Sequence, residues 1–264
     1  MMTTEASTAF SAQAGAFDSI DAGNPLIAWV RERVRRQALK NMQRGDTLLE
    51  LNAGTGIDSC FFAAQGMKVL ATDAAPGMID QLRAKQAAAP ELPLEVIACS
   101  FNELDRLGDR RFQHVFSNFG GLNCTARLDE VLRGIDRVLL PNGTCTLVIM
   151  PRFSPWELMA ALRGNLKLAR RRWKRGGAEA VVEGHAFTCH YYGPAYARHH
   201  LGPGYRVIAH RALSFFVPPP HQLDFMERWP RIFQLLERIE DGLASLPFIR
   251  NGGDHFVITL RKSA

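Results

Sequence analysis

No apolar stretch in this 264-residue chain approaches the roughly 18 residues that a membrane-spanning helix requires. The opening residues, Met1-Met-Thr-Thr-Glu-Ala-Ser7, lack the basic start and apolar core of a secretory leader. The five cysteines, Cys60, Cys99, Cys124, Cys145 and Cys189, are odd in number and sit mostly inside apolar patterns. That usage suits buried thiols in a reducing compartment better than a disulfide frame, so a cytoplasmic protein without a membrane span is expected. The spacing of His185, Cys189, His190, His199 and His200 fits no common zinc pattern, and no metal is expected. Internal repeats and low-complexity blocks are missing too. Positive charge is modest, at a net +6. Its one dense run, Arg170-Arg-Arg-Trp-Lys-Arg175, holds a single aromatic residue and offers no stacking platform, which argues against nucleic acid as a partner. A solvated helix face is the favoured account of such a run.

What the chain does have is a core-sized apolar content, 47% of residues, and one informative junction. Thr47-Leu-Leu-Glu50-Leu-Asn-Ala-Gly54-Thr-Gly56-Ile-Asp58 reads as a buried strand, a glycine turn and the start of a helix. A second apolar run, Lys68-Val-Leu-Ala-Thr-Asp73, ends in an acid, where a carboxylate can accept hydrogen bonds from both hydroxyls of a ribose. This layout serves dinucleotides and S-adenosylmethionine alike. The third small position of the dinucleotide pattern falls on Ser59, and an acid at Glu50 is unfavourable beside a pyrophosphate but useful beside an ammonium and a sulfonium. The acid favours the methyl donor.

At this point the residues resemble a known family. Leu49-Glu50-Leu-Asn-Ala-Gly54-Thr-Gly56, then Asp73, then Phe112-Gln-His-Val-Phe-Ser-Asn-Phe-Gly120 looks like the motif series of class I S-adenosylmethionine-dependent methyltransferases, over about residues 15–150. The resemblance implies an α/β fold: a doubly wound, seven-stranded, mostly parallel sheet with an antiparallel last strand and an inserted cap between strands five and six. It implies that Glu50, Asn52, Ala53, Gly54 and Gly56 lie along the methionine part of the donor and that Asp73 holds the ribose. Ala74 and Met78 would flank the adenine, with Ser100 and Phe101 near its amine, and Asn118 and Phe119 would follow strand four beside the donor. Three positions depart from the family pattern. Asn52 replaces a glycine, Gln113 stands where an acid usually begins strand four, and Ser100 stands where an acid often follows strand three. Asparagine tolerates left-handed backbone angles better than most residues. Asp58 reads as an early-helix residue favoured by the helix dipole rather than as a cofactor ligand.

Along the chain, residues 24–44 form an amphipathic pattern suited to a helix over the cofactor mouth, so residues 1–45 are read as a helical lid. Residues 46–150 carry the β-α rhythm of a cofactor-binding core, with strands near 47–52, 68–73, 94–98, 112–117 and 144–150 and helices near 57–65, 76–88 and 127–139. Leu140-Pro-Asn-Gly143 is turn chemistry before a strand. The rhythm breaks after Met150, and residues 151–204 resemble a substrate cap. Residues 205–264 supply the last two strands around a helix near 221–241. Within the cap, His185, His190, Tyr191 and Tyr192 are candidate general bases for an acceptor hydroxyl, whereas His255 at the start of the last strand reads as structural. The leading expectation is a methyltransferase for a small-molecule acceptor, with an oxygen nucleophile, acting as a monomer or homodimer. Two alternatives stay open: an RNA methyltransferase using residues 170–175, and a non-catalytic cofactor-binding protein.

Overall fold

A computed structural model describes residues 4–264. Two helices come first, α1 (Thr4–Ala22) and α2 (Pro25–Leu39), followed by β1 (Thr47–Leu51), α3 (Ile57–Ala64), β2 (Lys68–Asp73), α4 (Pro76–Ala88), β3 (Leu94–Ala98), β4 (Phe112–Ser117), α5 (Leu128–Val138) and β5 (Leu139–Ile149). An insertion then adds α6 (Pro155–Met159), α7 (Leu166–Arg170), a hairpin of β6 (Ala178–Val182) and β7 (His185–Cys189), and α8 (Pro194–Leu201). The chain ends with β8 (Tyr205–Leu213), α9 (Leu223–Arg228), α10 (Pro230–Leu243) and β9 (His255–Lys262).

The seven-stranded sheet has the order β3-β2-β1-β4-β5-β9-β8. β1 lies between β2 and β4, parallel to both, and its near-continuous apolar run is what a strand covered on both faces requires. β9 alone runs against β5 and β8, as the family resemblance implies for the last strand. This reversal brings the first residues of β9 to the edge where the parallel strands end. One face is covered by α5, whose Leu128, Val131, Leu132, Ile135 and Val138 recur at helical spacing and are all buried. The other carries α2, with Leu26, Trp29, Val30 and Val34 packed with Phe62 and Phe116. Each such fully buried side chain contributes about 1.5–3 kcal/mol of transfer free energy.

Four elements differ from the sequence reading. α1 lies within residues 1–45, read as a helical lid, but ahead of the helix pattern placed there at 24–44. The helix read over 24–44 stops at Leu39. The helix read over 221–241 is two, because Pro230 lacks an N–H and forces Trp229 out of helical geometry, at φ −133° and ψ 56°. Finally, β5 begins at Leu139 rather than 144, with a register shift against β4 and Asn142 at φ +63° absorbing the turn.

Candidate functional site

The site forms where β1, β2 and β4 end. After β1 the chain turns through Asn52 at φ +47°, Gly54 at φ +58° and Gly56 at φ +86°. Gly56 is doubly constrained, since a Cβ there would stand 2.0 Å from Leu82 Cδ1. Asn52 does what the missing glycine would do for the backbone and adds a clamp. Its amide donates to the Asn118 carbonyl at 3.1 Å and accepts from Ser117 Oγ at 2.6 Å, pinning the turn after β1 to the end of β4.

Two acids face the turn. The Asp73 carboxylate accepts from the backbone N–H groups of Gly54 and Ala75, each at 2.8 Å. Burial raises its pKa, and backbone N–H donors partly offset that. Glu50 is buried and accepts from Ser59 Oγ at 2.5 Å. Burial and then the nearby Asp58 push its pKa well above the usual carboxylate range, against the opposing effects of Ser59, Arg31 and Arg35.

Arg31 of α2 supplies the positive side. It pairs with Asp58 at 2.5 Å and with Asp21 near the end of α1, and its guanidinium lies 4.6 Å from the Phe119 ring centroid. Its Nε is buried without a hydrogen-bond partner among the described residues. Asp58 also accepts from Arg35 Nε at 2.6 Å and Asn118 Nδ2 at 2.9 Å. It does open α3, as read from the sequence, yet it also forms part of the pocket wall.

α1 closes the top. Asp18 accepts from Thr55 Oγ1 and pairs with Lys85, both at 2.5 Å. Ser11 Oγ accepts from Gly77 N at 3.2 Å. Phe10 packs on Phe187 of the insertion hairpin, with centroids 5.6 Å apart. The resulting pocket holds about 690 Å³ of non-protein space, part of it open to solvent.

Of the residues expected at the donor, Glu50, Asn52, Ala53, Gly54, Asp73, Met78, Asn118 and Phe119 line this pocket. Gly56, Ala74, Ser100 and Phe101 do not. Gly56 shapes the turn from behind, Ala74 accepts from Ser7 Oγ of α1, and Phe101 is buried in the core beneath α5. Gln113 is structural, bonding Thr47 and Asp46 at the opposite end of β1. The lining residues that sequence reasoning missed include Phe10, Phe17, Arg31 and Asp58. A heptad spacing of Phe10 and Phe17 was the available signal for the first two, while Arg31 was hidden among four arginines between residues 31 and 36.

None of the four candidate bases lines the pocket. His185 is exposed. His190 is held at its backbone by Asn123, and burial lowers its pKa. Burial raises the pKa of Tyr191 and Tyr192, and the Tyr192 hydroxyl donates to the Thr125 carbonyl at 2.5 Å. The basic run is partly consumed inside the protein. Arg171 and Arg172 both bind Glu157, and buried Arg172 also binds the Asp254 carboxylate at 2.7 Å.

Residues 48–143 match the family model described as a methyltransferase domain. A malonyl-[acyl-carrier protein] O-methyltransferase of Serratia marcescens is 38% identical over 81 residues, which are 31% of this chain and 30% of that protein. This chain thus aligns with less than a third of that relative's length. The CcbJ methyltransferase of Streptomyces caelestis has a similar structure, with a TM-score of 0.63 at 19% identity, covering 98% of this chain and 99% of that one. A Burkholderia thailandensis 1,6-didemethyltoxoflavin N1-methyltransferase, solved with its substrate and S-adenosylhomocysteine, gives 0.54 at 18% identity over 96% and 88% of the two chains. The matched domain and the strand order identify a class I S-adenosylmethionine-dependent methyltransferase fold.

Proposed function

With a methyltransferase domain of the class I fold as premise, we propose that this chain transfers a methyl group from S-adenosylmethionine to an oxygen of a small-molecule acceptor. The observation carrying this reading is the convergence of Asp73, Glu50 and Arg31 on one pocket. The residues fit the donor's charges. Arg31 has an unpartnered buried Nε for the donor carboxylate, Glu50 offers an acid to its ammonium, and Asp73 keeps lone pairs for the ribose hydroxyls. Phe10, Phe17 and Met78 give the adenine apolar walls, as one face of such a ring requires. The donor's sulfonium supplies an already electrophilic methyl carbon, so the protein's part is alignment and exclusion of water, effects worth about 7–11 kcal/mol where geometry is held. The α1 lid and the insertion hairpin packed on it serve that exclusion.

A small acceptor is favoured over RNA because two of the five cations of the basic run are spent on Glu157 and Asp254, which leaves only Arg170, Lys174 and Arg175 of the run exposed. The relative's printed activity, O-methylation, agrees with an oxygen acceptor. The test is calorimetry with S-adenosylhomocysteine, followed by methyl-labelled donor and a cell extract. Asp73→Ala is expected to weaken S-adenosylhomocysteine binding about 10- to 100-fold, since hydrogen bonds to a charged group contribute about 1.5–3 kcal/mol. Label should enter the small-molecule fraction. Wild-type affinity in Asp73→Ala, or label in RNA, would overturn the reading.

A further inference from the structure

The start of β9 carries an acid–histidine pair that donor binding does not use. His255 Nδ1 lies 3.1 Å from Asp254 Oδ2, and Asp254 Oδ1 accepts from buried Arg172 at 2.7 Å. Burial opposes ionisation of Asp254, but His255, Arg172 and His221 outweigh it and hold the carboxyl far below its ordinary range. An ionised carboxylate can only accept, so the neutral ring carries its proton on Nδ1 and keeps its lone pair on Nε2. That lone pair faces the end of β4. A Cβ built on Gly120 would stand 3.1 Å from His255 Nε2, and the rings of Phe119 and His255 meet edge to face with centroids 6.5 Å apart. Phe119 in turn lines the donor pocket. Histidine is thus one residue removed from the pocket wall, on the side where the insertion begins. The charged groups around it are Asp254 on its own segment, Arg172 and Glu157 from the insertion, His221 before α9, and Arg31 beyond Phe119.

We propose that His255, oriented by Asp254, accepts the proton of a hydroxyl-bearing acceptor as its oxygen is methylated. This rests on the reading given under Proposed function. The acceptor O–H bond breaks with its proton passing to Nε2, and the oxygen's electron pair forms the new bond to the methyl carbon. The carbon–sulfur bond breaks with its pair staying on sulfur, which becomes a neutral thioether. The imidazolium is balanced by Asp254 and afterwards returns its proton to water. Arg172 is a positioning residue, since it fixes the acid that fixes the ring.

The test uses the full chain, methyl-labelled S-adenosylmethionine and the small-molecule fraction of a cell extract. His255→Asn and His255→Gln should bind S-adenosylhomocysteine like wild type yet transfer label about 100-fold more slowly at pH 7, the lower end of what a positioned base contributes. Their rates should climb with pH as the acceptor ionises unaided, a dependence that a merely structural role would not create. Independently of turnover, nitrogen-15 spectra of the unloaded protein should show neutral His255 protonated at Nδ1, a preference that Asp254→Ala should weaken. A wild-type rate and pH profile in His255→Asn, or an Nε2-protonated ring, would overturn the assignment while leaving the methyltransferase reading intact. Should wild type bind S-adenosylhomocysteine but transfer no label, both fall. If both variants lose S-adenosylhomocysteine binding, the nitrogen-15 tautomer decides.

Discussion

A single asparagine shows how tightly residues at this site depend on one another. Asn52 occupies a left-handed backbone position, and its Cγ lies 2.4 Å from where a Cβ on Gly121 would stand. Held by Ser117 and Asn118, the amide cannot swing aside. Gly121→Ala should therefore cost about 1–3 kcal/mol, as overpacking does. Asn52→Gly should recover most of that loss, and thermal melts of both single variants and the double will read the coupling; additive effects would refute it. Glu50 supplies a pH prediction. Because burial raises its pKa in the folded chain, its contribution to stability is full at low pH and is lost as pH rises through that folded value. A cationic donor favours the ionised form, so binding should release a proton and tighten with rising pH. Calorimetry of S-adenosylmethionine in two buffers of different ionisation heat would reveal the proton, and equal heats would count against the contact.

At the scale of elements, the lid is the part whose removal should be felt most. The fully buried side chains of α1 are small, Ala6, Ala9 and Ala14, so its hold depends on close approach, on half-buried Phe10 and Phe17 beside them, and on the Asp18, Ser11 and Ser7 contacts. Gly77 permits that approach, since a Cβ there would stand 2.6 Å from the Ser11 carbonyl oxygen. Gly77→Ala should lift α1, speed its amide exchange and accelerate S-adenosylhomocysteine release, while exchange in α5 stays slow. Stopped-flow release and hydrogen-exchange measurements would check this; unchanged release would mean that the lid does not gate the pocket.

Across the whole molecule, one arginine joins the insertion to the sheet. Arg172 links Glu157 of α6 to Asp254 before β9, all of them buried or nearly so. Arg172→Met would take one cation from each of two carboxylates, leaving Glu157 to Arg171 and Asp254 to His255, so the cost should fall below the roughly 3–5 kcal/mol of a buried charge that loses its sole partner. Although burial alone raises the pKa of Glu157, hydrogen bonds from Arg171 and Arg172 prevail and lower it. Its contribution is therefore present above the ordinary carboxylate range and is lost as pH falls through the depressed folded value. Urea melts at neutral and acidic pH should show wild type losing stability on acidification and Arg172→Met losing less. An equal loss would place the acid sensitivity elsewhere.

The strands of the main sheet and the two acids at the turn were legible in the sequence because each rests on local pattern, while the sheet's arrangement came from the family resemblance. A parallel strand buried on both faces must read as an apolar run, as Thr47–Leu51 does, and an acid placed at its neighbour's end, as Asp73 is, needs no distant partner to be noticed. Even Asn52 was readable as a glycine substitute, because left-handed tolerance is a property of the residue itself. The helix α1, the Arg31–Asp58 pair and the reach of the Asp254–His255 pair toward the pocket were not. α1 has weak amphipathic character, Arg31 looks like its neighbouring arginines, and Asp254-His255 looks like the plain start of a strand. Only the antiparallel return of β9 and the folding of α1 and α2 over the strand ends decided which of these side chains meet, since contacts between residues 27 to more than 100 positions apart are set by packing and not by any periodicity along the chain.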